Sequence, residues 1–243
     1  MSYKFETFAS KVGRCKVLKI ILRPIYEWYK KIFSNYRNKL FLENGERVLQ
    51  EFSDTLNSIN VNYSIFAGTL LGAVREKNFL SHDMDIDTCI FYKDYSNKIE
   101  SSLQAAGFKL VRQYWVDNGL SGGEQTYQKD GVDIDVFYIY VDKDGTTYQC
   151  DFMHPDGTSN SYHAMETLGY VSVRRLNFPV KYSFVKLTLG RIEVQAIENY
   201  SEWLCHRYGN DYMTPNPKFR DKGDNPEIIN WIEKKAIFTF NED

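Results

Sequence analysis

Asp83, Asp85 and Asp87 alternate in HDMDIDTCIF, residues 82–91, and Asp133 and Asp135 alternate in GVDIDVF, residues 131–137. On a β-strand successive side chains point to opposite faces. Each set would therefore project from one face, while Met84, Ile86, Val132, Ile134 and Val136 enter the core. Aspartate is depleted from strands, so this placement asks for more than a solvated sheet surface. If the two strands are neighbours, four or five carboxylates converge on one patch. Like charges at close range raise one another's pKa, and a patch of this kind calls for a cation. Mg²⁺ (or Mn²⁺) suits it, being a hard ion that takes oxygen ligands and leaves room for phosphate oxygens. Such an ion bridges a phosphoryl group, neutralises charge in its transition state and aligns the attacking oxygen. A Ca²⁺ loop fits less well, because the acids sit in an apolar alternation rather than in a glycine-turned loop.

Gly68 and Thr69 stand about fifteen residues upstream, where a strand turns into a helix. A glycine there lets backbone N–H groups approach a phosphate, and a helix N-terminus favours the anion. Arg75 either pairs with a phosphate oxygen or is an ordinary surface arginine.

The elements that must position these residues follow from periodicity. Val48, Phe52, Leu56 and Ile59 keep helical spacing from Asn44 onward, NYSIFAG reads as a buried strand, and TLLGAVRE opens a short helix. MDIDTCIFY and FKLVRQYW read as strands on either side of a helix, YSNKIESSLQAAG, closed by Gly107. GVDIDVFYIY and TTYQCDF form a hairpin around DKDG. PDGTSNS is a loop, YVSVRRLNFPV is extended, and NYSEWLCHRYG is a helix ending at Gly209. NPEIINWIEKKA carries a helix-start signature, with Asn225 as cap and Pro226 in the first position. The expectation is an α/β (α+β) mixed sheet covered by helices, without internal repeats.

Charge is unevenly spread. Residues 1–40 hold ten Lys and Arg against Glu6 and Glu27, a net +8, while the whole chain is −2 and the remainder therefore −10. On a helical wheel Leu18, Ile21, Ile25, Trp28 and Ile32 share one face and Lys19, Arg23 and Lys30 the other, with Pro24 expected to kink the helix or divide it. This basic amphipathic segment, 1–40, is expected as an appendage to a catalytic domain, 41–243. It either packs on that domain or lies on anionic lipid headgroups. No secretory signal is read at the start of the chain. Cys15, Cys89, Cys150 and Cys205 lack zinc-ligand spacing, and a reducing cytoplasm fits them. Nucleic acid is not an expected partner, since the basic residues collect in the amphipathic segment and the rest is acidic.

GTLLGAVREKNFLSHDMDID, residues 68–87, resembles the hallmark of the LicD/fukutin-type phosphotransferases, whose usual form is G-T-L-L-G-A-x-R followed by a W-D-D-D-I-D-like segment. IDVF at 134–137 is similar to that family's second acidic strand, and YSEWLCHRYGNDYMTP at 200–215 to its C-terminal tyrosine–glycine signature. His82 departs from the family by standing where tryptophan is usual, and the cysteine-rich zinc element of human-type members has no counterpart. The resemblance implies a nucleotidyltransferase-like fold. It also implies Asp85 and Asp87 as paired metal ligands, and Asp135 as a third acid that binds metal or acts as base toward the acceptor hydroxyl. Asp83 matches the preceding motif acid, and Gly68, Thr69 and Arg75 match the phosphate-side stretch.

Near the C-terminus, Arg207, Tyr208, Tyr212 and Lys218 either hold a cytosine base or a diphosphate, or pack beneath the loop after a capped helix. The activity implied by the resemblance is transfer of a substituted phosphate, phosphocholine or a polyol phosphate, from a CDP-alcohol donor to a saccharide or glycolipid acceptor. Competing readings are a nucleotidyltransferase that releases pyrophosphate and a non-catalytic, membrane-associated scaffold. The location expected is the cytoplasm, with peripheral contact at the inner face of the membrane.

Overall fold

The computed structural model describes residues 16–155, 161–216 and 228–241. A long helix, α1 (Lys16–Ser58), leads through β1 (Ser64–Ile65) into α2 (Ala67–Arg75) and β2 (Asp85–Phe91). There follow α3 (Asn97–Ala105), β3 (Lys109–Val116), β4 (Gly122–Lys129), β5 (Val132–Val141) and β6 (Thr147–Met153). The chain continues with α4 (Ser161–Leu168), β7 (Val171–Asn177), β8 (Phe184–Leu189), β9 (Ile192–Ile197), α5 (Tyr200–Tyr208) and β10 (Ile228–Phe240). The mixed sheet with helices is as expected.

Eight strands form one sheet in the order β1-β2-β5-β4-β3-β10-β7-β6, and β6 also pairs back onto β5. Strands β5, β4, β3, β10, β7 and β6 thus close a ring, from which β2 and β1 extend as a wing. Among the described strands β2 and β5 are the one parallel pair. A parallel pair needs a long crossover, and α3, β3 and β4 supply it. β8 and β9 form a separate hairpin.

Core formation follows the apolar spacing. α1 buries Phe41, Val48, Leu49, Phe52 and Leu56. Phe52 meets Tyr63 and Phe108 edge-on at 5.7 and 6.1 Å. Alternate residues of the wing, Ile86, Thr88 and Ile90 on β2 with Ile134, Val136 and Tyr138 on β5, are fully buried. Each such apolar side chain contributes on the order of 1.5–3 kcal/mol through removal from water. Elsewhere, the Phe66 ring packs tilted against Trp203 of α5, with centroids 4.2 Å apart, and lies 5.9 Å from Phe178.

Several expectations are corrected. α1 runs unbroken through Pro24; a proline removes one backbone bond without forbidding helix on either side. The expected boundary between residues 40 and 41 falls inside this helix. The segment read as a final helix is strand β10 from Ile228, with Asn225 and Pro226 outside the described residues. The edges of β3 and β7 require a strand between them. The run IINWIEKKAIFTF, rich in β-branched and aromatic residues, satisfies that need. β4, β8, β9 and α4 were not foreseen. β4 begins with two glycines and continues with polar residues, which mask its strand character.

Gly72 sits where α2 meets the turn that leads to the aspartates. A Cβ there would fall 2.5 Å from the Asn78 carbonyl oxygen and 3.1 Å from the Leu80 nitrogen. Because the obstacle is backbone, Gly72→Ala is expected to lower stability by about 1–3 kcal/mol, typical of overpacking. Urea unfolding followed by circular dichroism would measure it; an unchanged midpoint would contradict the close approach.

Candidate active site

The parallel register places Asp85 opposite Asp133 and Asp87 opposite Asp135. The row continues across the sheet, Asp135 facing Thr126 on β4 and Thr126 facing Arg112 on β3. One line of side chains, Asp87–Asp135–Thr126–Arg112, therefore spans four strands. Asp83 precedes β2, so the alternation expected of three aspartates holds for Asp85 and Asp87 alone. The turn nevertheless brings Asp83 to the same place. A Cβ on Gly68 would lie 3.1 Å from Asp87 Oδ2 and 3.5 Å from Asp83 Oδ2.

The first turn of α2 is locked to Asp87. The Phe66 N–H donates to the Asp87 carbonyl at 2.9 Å, and the Asp87 N–H donates to Thr69 Oγ1 at 2.9 Å. The Gly68 N–H, expected on a phosphate, donates to Asp87 Oδ2 at 2.8 Å. Thr69 is fully buried and serves as a fastener between helix and strand. Ala67 adopts φ +38°, a left-handed conformation that costs a residue with a Cβ about 1–2 kcal/mol.

Crowding shifts the acids upward. Burial, then Asp85 and Asp135, hold Asp87 well above the usual carboxylate range. Asp85 opens to solvent at the mouth, yet surrounding protein atoms, then Asp135 and Asp83, push it to about 6. Burial likewise brings Asp83 to about 6, and its Oδ2 is buried without a hydrogen-bond partner among the described residues. On β4, burial and Asp135 raise Glu124 to about 8, partly offset by Arg112. Burial opposes the charge of Arg112, but Asp135 and Glu124 outweigh it and raise the guanidinium's pKa.

Asp133 has a different task. Its Oδ2 accepts from Arg37 Nη2 at 2.6 Å and its Oδ1 from Gln128 Nε2 at 2.6 Å. Arg37 also donates to the Met84 carbonyl at 3.2 Å, and Asn38 donates to the carbonyls of Ser81 and Asp83 at 3.2 and 3.0 Å. The fifth acid thus ties α1 to the acidic turn.

Of the other expected residues, Arg75 pairs with Glu76 at 2.9 Å and lies within electrostatic reach of Asp83. Tyr208 packs edge-on against Trp203 at 6.2 Å, and through Trp203 and Phe66 joins the base of α2. Arg207 lies in the last turn of α5. The Tyr212 hydroxyl bonds Ser201 Oγ at 3.1 Å. His82 is exposed, 3.9 Å from Asp83 Oδ1. Lys218 lies outside the described residues. Sequence reasoning missed Arg37, Arg112, Glu124 and Thr126. For Glu124 and Thr126 the signal was hidden with β4 itself.

A hard cation fits the donor chemistry: oxygen ligands on two registered strands, mutually raised pKa values, and the orphaned Asp83 Oδ2. As the side chains stand, no three acidic, histidine or cysteine groups among the described residues are arranged to hold a metal ion. Asp87 is engaged by Gly68, and Asp135 by Thr126 and Arg112.

The raised pKa values fix a sign. Unfolded carboxyls titrate near 4, so between about pH 4 and the folded values the native state holds more protons. Stability contributed by these groups is greatest at the acid end and falls as pH rises through about 6 for Asp83 and Asp85 and about 8 for Glu124. Without divalent cations, Tm is expected to fall between pH 5.5 and 7.5, less so in Asp87→Asn. Scanning calorimetry showing the same slope for both proteins would refute the assignment of this strain to the cluster.

Residues 60–181, half of the chain, match the family model described as LicD/FKTN/FKRP, nucleotidyltransferase domain. The chain is 34% identical over 106 residues to ribitol-5-phosphate transferase FKTN of Homo sapiens, covering 43% of this chain and 22% of that protein. It is 30% identical over 107 residues to the Mus musculus protein of that name, covering 43% and 23%. The matched part is thus less than a quarter of those relatives' length. Lincomycin-bound lincosamide antibiotic adenylyltransferase LnuA superposes on 66% of this chain and 85% of its own, with a TM-score of 0.39 and 16% identity. The acidic wing and the α2 turn both fall inside the matched family segment, and the chain belongs to the LicD/FKTN/FKRP nucleotidyltransferase-domain family.

Proposed function

We propose that the protein is a metal-dependent phosphotransferase. It moves a substituted phosphate, phosphocholine or a polyol phosphate, from a CDP-alcohol to a hydroxyl of a saccharide or glycolipid. The observation that carries this reading is the register that sets Asp85 opposite Asp133 and Asp87 opposite Asp135, beside the N-terminus of α2. Family membership supports it, as does the relatives' printed description as ribitol-5-phosphate transferases.

Asp85, Asp87 and Asp135 would hold Mg²⁺ (or Mn²⁺), which supplies charge neutralisation at the phosphates. The residues of the chain set the surroundings. The N-terminus of α2 favours the anionic donor, and Thr69 keeps that turn against β2. Asp83 Oδ2, buried and without a hydrogen-bond partner among the described residues, offers an acceptor for a substrate hydroxyl. Thr126 and Arg112 donate to Asp135 and hold its orientation.

The N-terminal part of α1 would lie on anionic lipid at the cytoplasmic face of the membrane. Trp28, Ile32 and Tyr36 recur every fourth residue and are 65%, 48% and 59% exposed, in a segment rich in lysine and arginine. No helix among the described residues is long and apolar enough to cross a membrane.

Asp87→Asn is expected to leave the fold intact and to reduce CMP release from CDP-alcohols by roughly a thousandfold or more, several kcal/mol of transition-state stabilisation. A screen of CDP-choline, CDP-glycerol and CDP-ribitol with each acceptor class reads it. Full activity of the variant, or pyrophosphate as product, would sink the reading. For the helix, vesicles of phosphatidylcholine with phosphatidylglycerol should co-sediment the full chain, more weakly at high salt. The double variant Trp28→Ala, Ile32→Ala should bind less; equal binding would remove the interfacial role.

A further inference from the structure

Arg112 reaches Asp135 by an irregularity in β3. Leu110 faces Tyr127 and Arg112 faces Thr126, so Val111 has no opposite residue on β4. Such a bulge turns the following side chain to the other face of the sheet. In a regular strand Val111 would face Thr126, and Arg112 would point away from the acids. The bulge is itself held: the Asn241 N–H donates to the Val111 carbonyl at 3.1 Å, and Asn241 Nδ2 to the Leu110 carbonyl at 3.1 Å.

The re-aimed guanidinium closes a ring of three residues from three adjacent strands. Arg112 Nε donates to Thr126 Oγ1 at 2.8 Å, and the Thr126 hydroxyl donates to Asp135 Oδ1 at 2.5 Å. Arg112 Nη2 spans both Asp135 oxygens at 3.3 and 3.4 Å. A carboxylate has about four acceptor positions, so these bonds fix its orientation while leaving lone pairs for a further ligand. The guanidinium also places a positive charge against the face of Asp135 that Thr126 bonds.

We propose that Arg112, delivered by the Val111 bulge, is a positioning residue that holds Asp135 in the orientation the cation and the transfer reaction require. This rests on the metal-dependent reading above, and its role runs through Asp135 rather than through contact with substrate. Partners behind metal ligands commonly contribute 10–100-fold in metal affinity or activity.

The test is Mn²⁺ binding by the full chain, followed by electron paramagnetic resonance, alongside turnover. Arg112→Ala is expected to weaken Mn²⁺ about 10–100-fold and to lower kcat with little change in donor KM. Added guanidinium ion should restore part of both, a rescue that a merely structural loss would not show. Arg112→Lys should be intermediate, because an ammonium lacks the planar fork. Thr126→Val removes only the hydroxyl, and should weaken Mn²⁺ in the same direction if Arg112→Ala fails to fold. Wild-type Mn²⁺ affinity in Arg112→Ala, or in Thr126→Val, would overturn the inference and leave the function standing. If the wild-type chain bound no Mn²⁺, the metal-dependent function would fall and this inference with it.

Discussion

Repulsion among carboxylates on one side of two parallel strands is the constraint around which the molecule is arranged. β2 and β5 pair without a register shift, so the strand ladder itself brings Asp85, Asp87, Asp133 and Asp135 together. The protein answers this in two ways. Asp133 is neutralised by Arg37 from α1, and Asp135 is bonded by Thr126 and Arg112 from the other side. Asp85 and Asp87 are left with raised pKa values, through burial first and then through Asp135 and Asp83 for Asp85, and Asp85 and Asp135 for Asp87. Asp85 and Asp87 stand on β2, at the wing end of the row, and that is where the chemistry is expected.

The helices serve the same arrangement. α2 offers its N-terminus to the cluster and is fastened to Asp87 by three hydrogen bonds. Its hallmark glycines have separate physical tasks: Gly68 leaves room for the carboxylates of Asp87 and Asp83, and Gly72 admits the backbone of the turn that carries Asp83. α1 reaches the acidic turn through Arg37 and Asn38. The basic segment is therefore part of the site's construction as well as a candidate lipid contact.

Much of this was legible in the sequence because it rests on local periodicity. The Asp–Ile–Asp alternation gave away both acidic strands, and their apolar partners Ile86, Ile134 and Val136 are indeed buried. Gly107 and Gly209 ended α3 and α5 at positive φ, 88° and 94°, as their placement suggested. What escaped depends on partners far away in the chain. β10 is a strand because β3 and β7 leave room for one, a tertiary demand that overrode the cap signature before it. β4 contributes Thr126 and Glu124 from a stretch that looks like a loop. Arg112 lay in an expected strand, but the face it occupies depends on one unpaired residue, which no alternation rule reveals. Asp133 was expected on the shared patch without a task of its own, and it is an anchor, since only the fold brings Arg37 to it.

β5 pairs with β2, β4 and β6, so its backbone is shared by the wing and the closed ring. Sliding or opening it would break several ladders at once, so Asp135 is mounted on a strand that three others hold in place. β2 has only the two-residue β1 on its outer side, and the turn before it is held by side chains of α1 rather than by a sheet. Adjustment of shape beside the acids comes most easily from that outer rim, with the inner strand acting as a fixed anvil.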